Sequence, residues 1–248
     1  MSENSEPEPV SFSDFCNKSK YDIVRFALGL ATIVSFALYF LRRNEMIYNS
    51  GVWYNRCFLI YAASCAIRLH QRVQTVQLSF EYLQLLARED SFHYLTYCIS
   101  IRNLGANLSF IIPVVLFATY QNLAFFHKFL NEYLKKSTDP NAVKVCDFFQ
   151  RYSTAGVARV MLTLIAVLEV SNIFYVIYLA FRLKASLFFV FLYVNFIRMR
   201  ANSSRNGATR NLLLKGRTEM SKIRARVPIL GIPINLIDKV MVFLLTSH

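Results

Sequence analysis

The stretch Val160–Phe181, VMLTLIAVLEVSNIFYVIYLAF, decides the fold class. As a helix it would be about 33 Å long, enough to cross a hydrocarbon core roughly 30 Å thick. A backbone in lipid must satisfy its own polar groups, which a helix does and an open strand does not. One acid, Glu169, interrupts the run near its middle and is followed by Ser171 and Asn172. A carboxylate at that depth marks a pathway, a proton site or a buried ion pair. Arg56, Arg102 and Arg159 are the candidate partners, and protonation in place is the alternative.

Leu104–Phe126 is a second stretch long enough to cross, at about 35 Å. It holds Pro113, which removes one backbone hydrogen bond and is tolerated where a neighbour satisfies the freed carbonyl. The other apolar runs are shorter. Phe26–Leu41, between Arg25 and Arg42-Arg43, covers only about 24 Å and needs snorkelling flanks or local thinning to span. Val52–Leu69 is interrupted by Arg56 and Arg68 and fits a helix shielded by neighbours or one that enters a single leaflet. Ala185–Ile197 covers about 20 Å and is either a half-span or a re-entrant wedge. Thr75–Arg88 alternates apolar residues with Gln74, Gln77, Glu81 and Gln84, an amphipathic pattern. Ser91 opens an aromatic helix through Ile101. The polar segment Lys128–Arg151 is a connection broken at Asp139-Pro140.

These runs predict an all-α, polytopic helical membrane protein with short hairpin segments and amphipathic interfacial helices. Its parts are a disordered acidic arm (1–20), a helical membrane domain (21–200) and a basic amphipathic cytosolic tail (201–248). Three, four or more crossings fit, and the side of the N-terminus follows their parity. Composition agrees, with 55% hydrophobic residues and only 7 Gly and 6 Pro. The mean hydropathy is +0.35. The 22 Phe and 14 Tyr suit helices crossing the lipid–water boundary.

The formal net charge of +13 is concentrated near the C-terminus. Arg198, Arg200, Arg205, Arg210, Lys215, Arg217, Lys222, Arg224 and Arg226 face one acid, Glu219, directly after an apolar segment. That is the pattern of a cytosolic juxtamembrane region contacting an anionic leaflet. Within it Leu213, Met220, Ile223 and Val227 fall near one helical face, and Ile237, Val240, Met241 and Leu244 near one face of the last segment. Arg68 and Arg72 are a further membrane-surface pair, able to meet lipid phosphates or partner carboxylates, or to fix helix depth. No nucleic-acid-reading module accompanies the charge.

The cysteines read as small buried hydrophobes. Glu89, Asp90 and His93 have helical spacing but lack the second Glu-x-x-His pair of a di-iron site, so a capping acid and an interfacial His are expected. Nucleophile elbows, phosphate-binding glycine loops and zinc spacings are absent. No enzyme, cofactor, metal or small-molecule substrate is expected.

Three motifs carry a resemblance: Ala66-Ile-Arg-Leu-His-Gln-Arg72, then Leu85-Leu-Ala-Arg-Glu-Asp-Ser-Phe-His-Tyr-Leu-Thr-Tyr97, then Phe110-Ile-Ile-Pro-Val-Val-Leu-Phe117. With weaker similarity through Ile165–Phe174 and Phe191–Arg200, the chain resembles the transmembrane protein 33 family over about residues 22–226. That family is also called Krüppel homologue 2 and includes fungal pore-membrane proteins. The resemblance implies a multi-pass protein of the endoplasmic reticulum and nuclear envelope. It further implies association with reticulon-type and nuclear pore proteins, and influence on tubule or sheet form and on pore distribution. The rival expectation is an ion channel or transporter, or a regulator of one, built around Glu169.

Overall fold

Helices account for every regular element among the described residues. The computed structural model describes residues 12–43, 50–73, 79–133, 155–203, 207–226 and 231–246, with isolated positions between 141 and 148. In chain order the helices are α1 (Phe12–Lys18), α2 (Lys20–Arg43), α3 (Ser50–Arg72), α4 (Phe80–Leu86) and α5 (Asp90–Ile101). A 3₁₀ turn, Arg102–Leu104, leads to α6 (Leu108–Glu132), α7 (Ala155–Phe181), α8 (Leu187–Ala201), α9 (Ala208–Arg226) and α10 (Gly231–Leu245). Three of them, α2, α6 and α7, are long and apolar enough to cross a membrane.

One expectation is corrected here. The N-terminal arm is not without structure over residues 12–20: α1 folds there and buries Phe15 against Phe129 of α6, ring centroids 5.4 Å apart. Residues 1–11 lie outside the described residues. The first apolar run is long enough to span once its charged flanks are counted, in keeping with the expected reliance on those flanks. Hydrogen bonding carries α2 through its charged flanks to 24 residues, about 36 Å. The amphipathic stretch at 75–88 yields the seven-residue α4, with residues 74–78 outside the described set.

Six helices close a ring, with α2 on α3, α3 on α5, α5 on α8, α8 on α7, α7 on α6, and α6 back on α2. Inside it lies an aromatic core. Tyr94 stacks on Phe117 at 4.4 Å, and Tyr97 meets Phe196 at 4.6 Å. Cys57, Cys65 and Cys98 are buried and unbridged within this core, filling it as small hydrophobes. The close approach of α2 and α6 depends on Gly29, where a Cβ would lie 2.2 Å from the Asn122 side-chain oxygen.

Pro113 has no N–H to give to the Ser109 carbonyl, four residues earlier. Asn172 of α7 supplies the missing donor, its Nδ2 donating to Ser109 O at 2.8 Å. Asn107 caps the same helix by accepting from Ser109 N at 2.9 Å. After α7, Leu183 takes a left-handed conformation (φ 55°). Lys184 N then donates to Leu179 O at 2.9 Å, which reverses the chain into α8. At 15 residues, α8 reaches about 22 Å and is too short to cross.

Contacts at the helix ends tie the elements to one another. Phe12 and Phe15 pack on Tyr133 and Phe129 at the end of α6. Arg72 at the end of α3 pairs with Glu89 before α5, and Asp90 at the start of α5 binds Arg200 at the end of α8. Beyond α8, α9 packs on α7 and α8, and α10 on α8 and α9.

Candidate functional site

Glu169 is buried at zero exposure, and its partner is none of the three arginines expected from sequence. Arg200 takes that place: its Nε donates to Glu169 Oε2 at 3.2 Å, and its Nη1 to Asp90 Oδ1 at 2.8 Å. The Tyr94 hydroxyl donates to Glu169 Oε1. Tyr193 O–H donates to the Glu169 backbone carbonyl at 2.8 Å. The Arg200 guanidinium carbon lies 5.1 Å from the Tyr94 ring centre and 5.3 Å from that of Phe117. Planar, delocalised and weakly hydrated, arginine is the cation suited to such an aromatic slot.

Arg200 was expected among the lipid-contacting cations, and this is corrected, because it is fully buried. Its position at the end of an apolar helix fits either role. Burial follows from α8 folding back along α7, which carries position 200 to the level of Glu169. The expected partners lie elsewhere: Arg56 sits over Trp53 at 4.6 Å, and Arg102 and Arg159 are exposed.

Asp90 also accepts from Ser203 Oγ at 2.7 Å. Beside it His93 is fully buried within the bundle. Its Nε2–H donates to Ala87 O at 2.7 Å, the only role a carbonyl partner permits. Burial, helped by the Arg200 charge, pushes the imidazole down to about 4, so it is neutral at physiological pH. For Arg200, burial opposes the charged form, but Glu169, Tyr94 and Asp90 outweigh it and hold the guanidinium charged. Glu89, expected to cap, makes no side-chain capping bond and pairs instead with Arg72 at 2.6 Å. The network thus ties α5, α7 and α8 together with groups already engaged by one another. It is an internal brace, and a channel reading draws no support from so enclosed a carboxylate.

The remaining cations divide by place. Arg210, Lys215, Arg217, Lys222, Arg224 and Arg226 are all exposed on α9. Of these, Arg217 pairs with Asp238 at 2.6 Å and Lys222 with Glu219 at 2.7 Å. Arg205 lies outside the described residues. Arg198 is held by α10, donating to Thr246 O at 3.2 Å and covering the Phe243 ring at 4.7 Å. Arg68 and Arg72 line a cleft between α2, α3 and α6.

The amphipathic faces also differ from expectation. Leu213 is buried against the bundle while Ile223 is exposed, and Val227 lies outside the described residues. On α10 the expected face is split. Leu244 is buried and Met241 packs toward Gly216 of α9, whereas Ile237 and Val240 join Leu236 and Phe243 on an exposed apolar face. With Asp238 turned to Arg217 of α9 and Leu244 to the bundle, α10 has one apolar side for the protein and one left over.

A profile of the family described as Transmembrane protein 33/Nucleoporin POM33 matches residues 4–245. "Transmembrane protein 33 homolog" of Caenorhabditis elegans is 28% identical over 86% of this chain and 76% of its own length. "Transmembrane protein 33" of Mus musculus is 29% identical over 83% of this chain and 81% of its own. "Krueppel homolog 2" of Drosophila melanogaster is 27% identical over 90% and 78%. No solved structure matches the chain. With the match extending from the N-terminal arm into the last helix, the chain belongs to the Transmembrane protein 33/Nucleoporin POM33 family.

Proposed function

We propose that this protein is a non-enzymatic organiser of membrane shape in the endoplasmic reticulum and nuclear envelope. It acts on the balance of tubules and sheets with reticulon-type partners, and on the distribution or assembly of nuclear pores. The word nucleoporin in the family description supports the pore role. The observation that carries the shaping role is the exposed apolar face of α10, Leu236, Ile237, Val240 and Phe243, beside the exposed cations of α9. An apolar face flanked by cations inserts shallowly into an anionic leaflet, here the cytosolic one, and widens it relative to the other. The short helices α5 and α8, about 18 and 22 Å long, add area unevenly because they stop short of the far side.

The test is rescue of cells depleted of the protein. A full-length variant with Leu236, Val240 and Phe243 replaced by Ser is expected to insert normally through its spans yet leave tubule abundance and pore spacing uncorrected. Restoration equal to wild type would sink the proposal.

A further inference from the structure

A second polar feature lies apart from the Arg200 brace. The cleft between α2, α3 and α6 has a volume of about 350 Å³ and is lined by Arg25, Arg68, Arg72 and Lys128, with Asp22 and Asn122. Asp22 is shared, 3.3 Å from Arg25 and 2.9 Å from Lys128. Arg72 is matched by Glu89. Arg68 has no carboxylate partner among the described residues. Four cations line the cleft against Asp22 on its walls, and with Glu89 outside it neutralising Arg72 an excess of two positive charges remains. Three side-chain donors on its walls, Arg25 Nε, Arg68 Nε and Asn122 Nδ2, are buried and make no hydrogen bond. Buried donors without an acceptor are costly, and a cluster of them beside surplus positive charge calls for an anion.

We propose that this cleft holds the phosphomonoester headgroup of an acidic membrane lipid. A phosphomonoester carries between −1.5 and −2 charges at neutral pH and three strong acceptor oxygens, matching both the surplus charge and the free donors. The depth is right as well. Arg25 lies about one and a half turns inside the start of α2, and Lys128 about one turn before the end of α6. Both helices are long and apolar enough to cross the membrane, so the cleft opens at headgroup level. Phe26 and Phe125, ring centroids 5.0 Å apart, line the same cleft and offer an apolar wall to the glycerol end. The site requires only that α2 and α6 cross the bilayer, and stands whether or not the protein bends it.

The experiment uses the full chain in mild detergent and measures binding of short-chain phosphatidate, short-chain phosphatidylcholine and inorganic phosphate. Phosphatidate is expected to bind at least tenfold more tightly than either of the others. Arg68→Gln and Lys128→Gln should each weaken it about tenfold, the loss of one charge-assisted contact. A Lys215→Gln/Arg224→Gln variant on α9 should bind like wild type. The Lys128 side chain is 36% exposed, so Lys128→Gln keeps its fold and decides the matter if Arg68→Gln does not. Equal binding of phosphatidate and phosphatidylcholine would overturn the site. Inorganic phosphate binding as tightly as phosphatidate would replace the lipid by a free anion, and a loss confined to the α9 variant would move the preference to the tail.

Discussion

Arg200 and Arg224 belong to the same basic stretch, one at the end of α8 and one near the end of α9, yet they live in opposite environments. Arg200 is sealed between two carboxylates and two rings, while Arg224 faces outward. The first is held by packing and in turn holds three helices together; the second is free to meet whatever anion approaches. A cation's value is set by what surrounds it. In a buried site the missing partner is expensive, whereas at a surface water and salt replace it.

Removing Arg200 should therefore have the largest effect. Arg200→Ala leaves Glu169 and Asp90 buried without compensation, a loss of about 3–5 kcal/mol. It should appear as poorly folded or aggregated protein on size exclusion. Pairing Arg200→Met with Glu169→Gln and Asp90→Asn should recover most of that loss, because no uncompensated charge is then left buried. Failure of the triple variant to recover would mean that the network does more than brace.

His93 sharpens the comparison through pH. The unfolded chain takes up a proton near 6.5 and the folded chain only near 4, so acid favours unfolding. Stability is complete above about pH 6.5 and drains away as pH falls toward 4. At pH 5 the loss is about 2 kcal/mol, roughly 4–8 °C in melting temperature for a chain of this size. His93→Gln, which retains a donor for Ala87, should flatten that dependence. An unchanged slope would place the acid sensitivity elsewhere.

Smaller again is the Asn172 bond. Asn172→Leu strands the Ser109 carbonyl and should cost about 1–2 kcal/mol. In that background Pro113→Ala restores a helical N–H and should recover part of the loss, whereas additive melts would show the two sites to be uncoupled. Least of all, Arg224→Gln should change stability by no more than about 0.5 kcal/mol. It should still weaken flotation with anionic vesicles by about 1 kcal/mol, an effect that salt erases.

Much of this was legible before any fold was known. The length of Val160–Phe181 dictates a helix in lipid. Pro113 forecasts a carbonyl in need of a donor, and the isolation of Glu169 forecasts either an arginine partner or a protonated carboxyl. These are local or compositional consequences, because hydrocarbon thickness, helical rise and the cost of a bare charge do not depend on what packs where. The identity of each partner does. Arg200 reaches Glu169 only because Leu183 turns the chain and α8 runs back along α7. The basic cleft draws Asp22, Arg68 and Lys128 from three helices far apart in sequence. No spacing rule joins such residues. They meet because burying the aromatic core closes the ring of helices, and the charges must then find one another inside it.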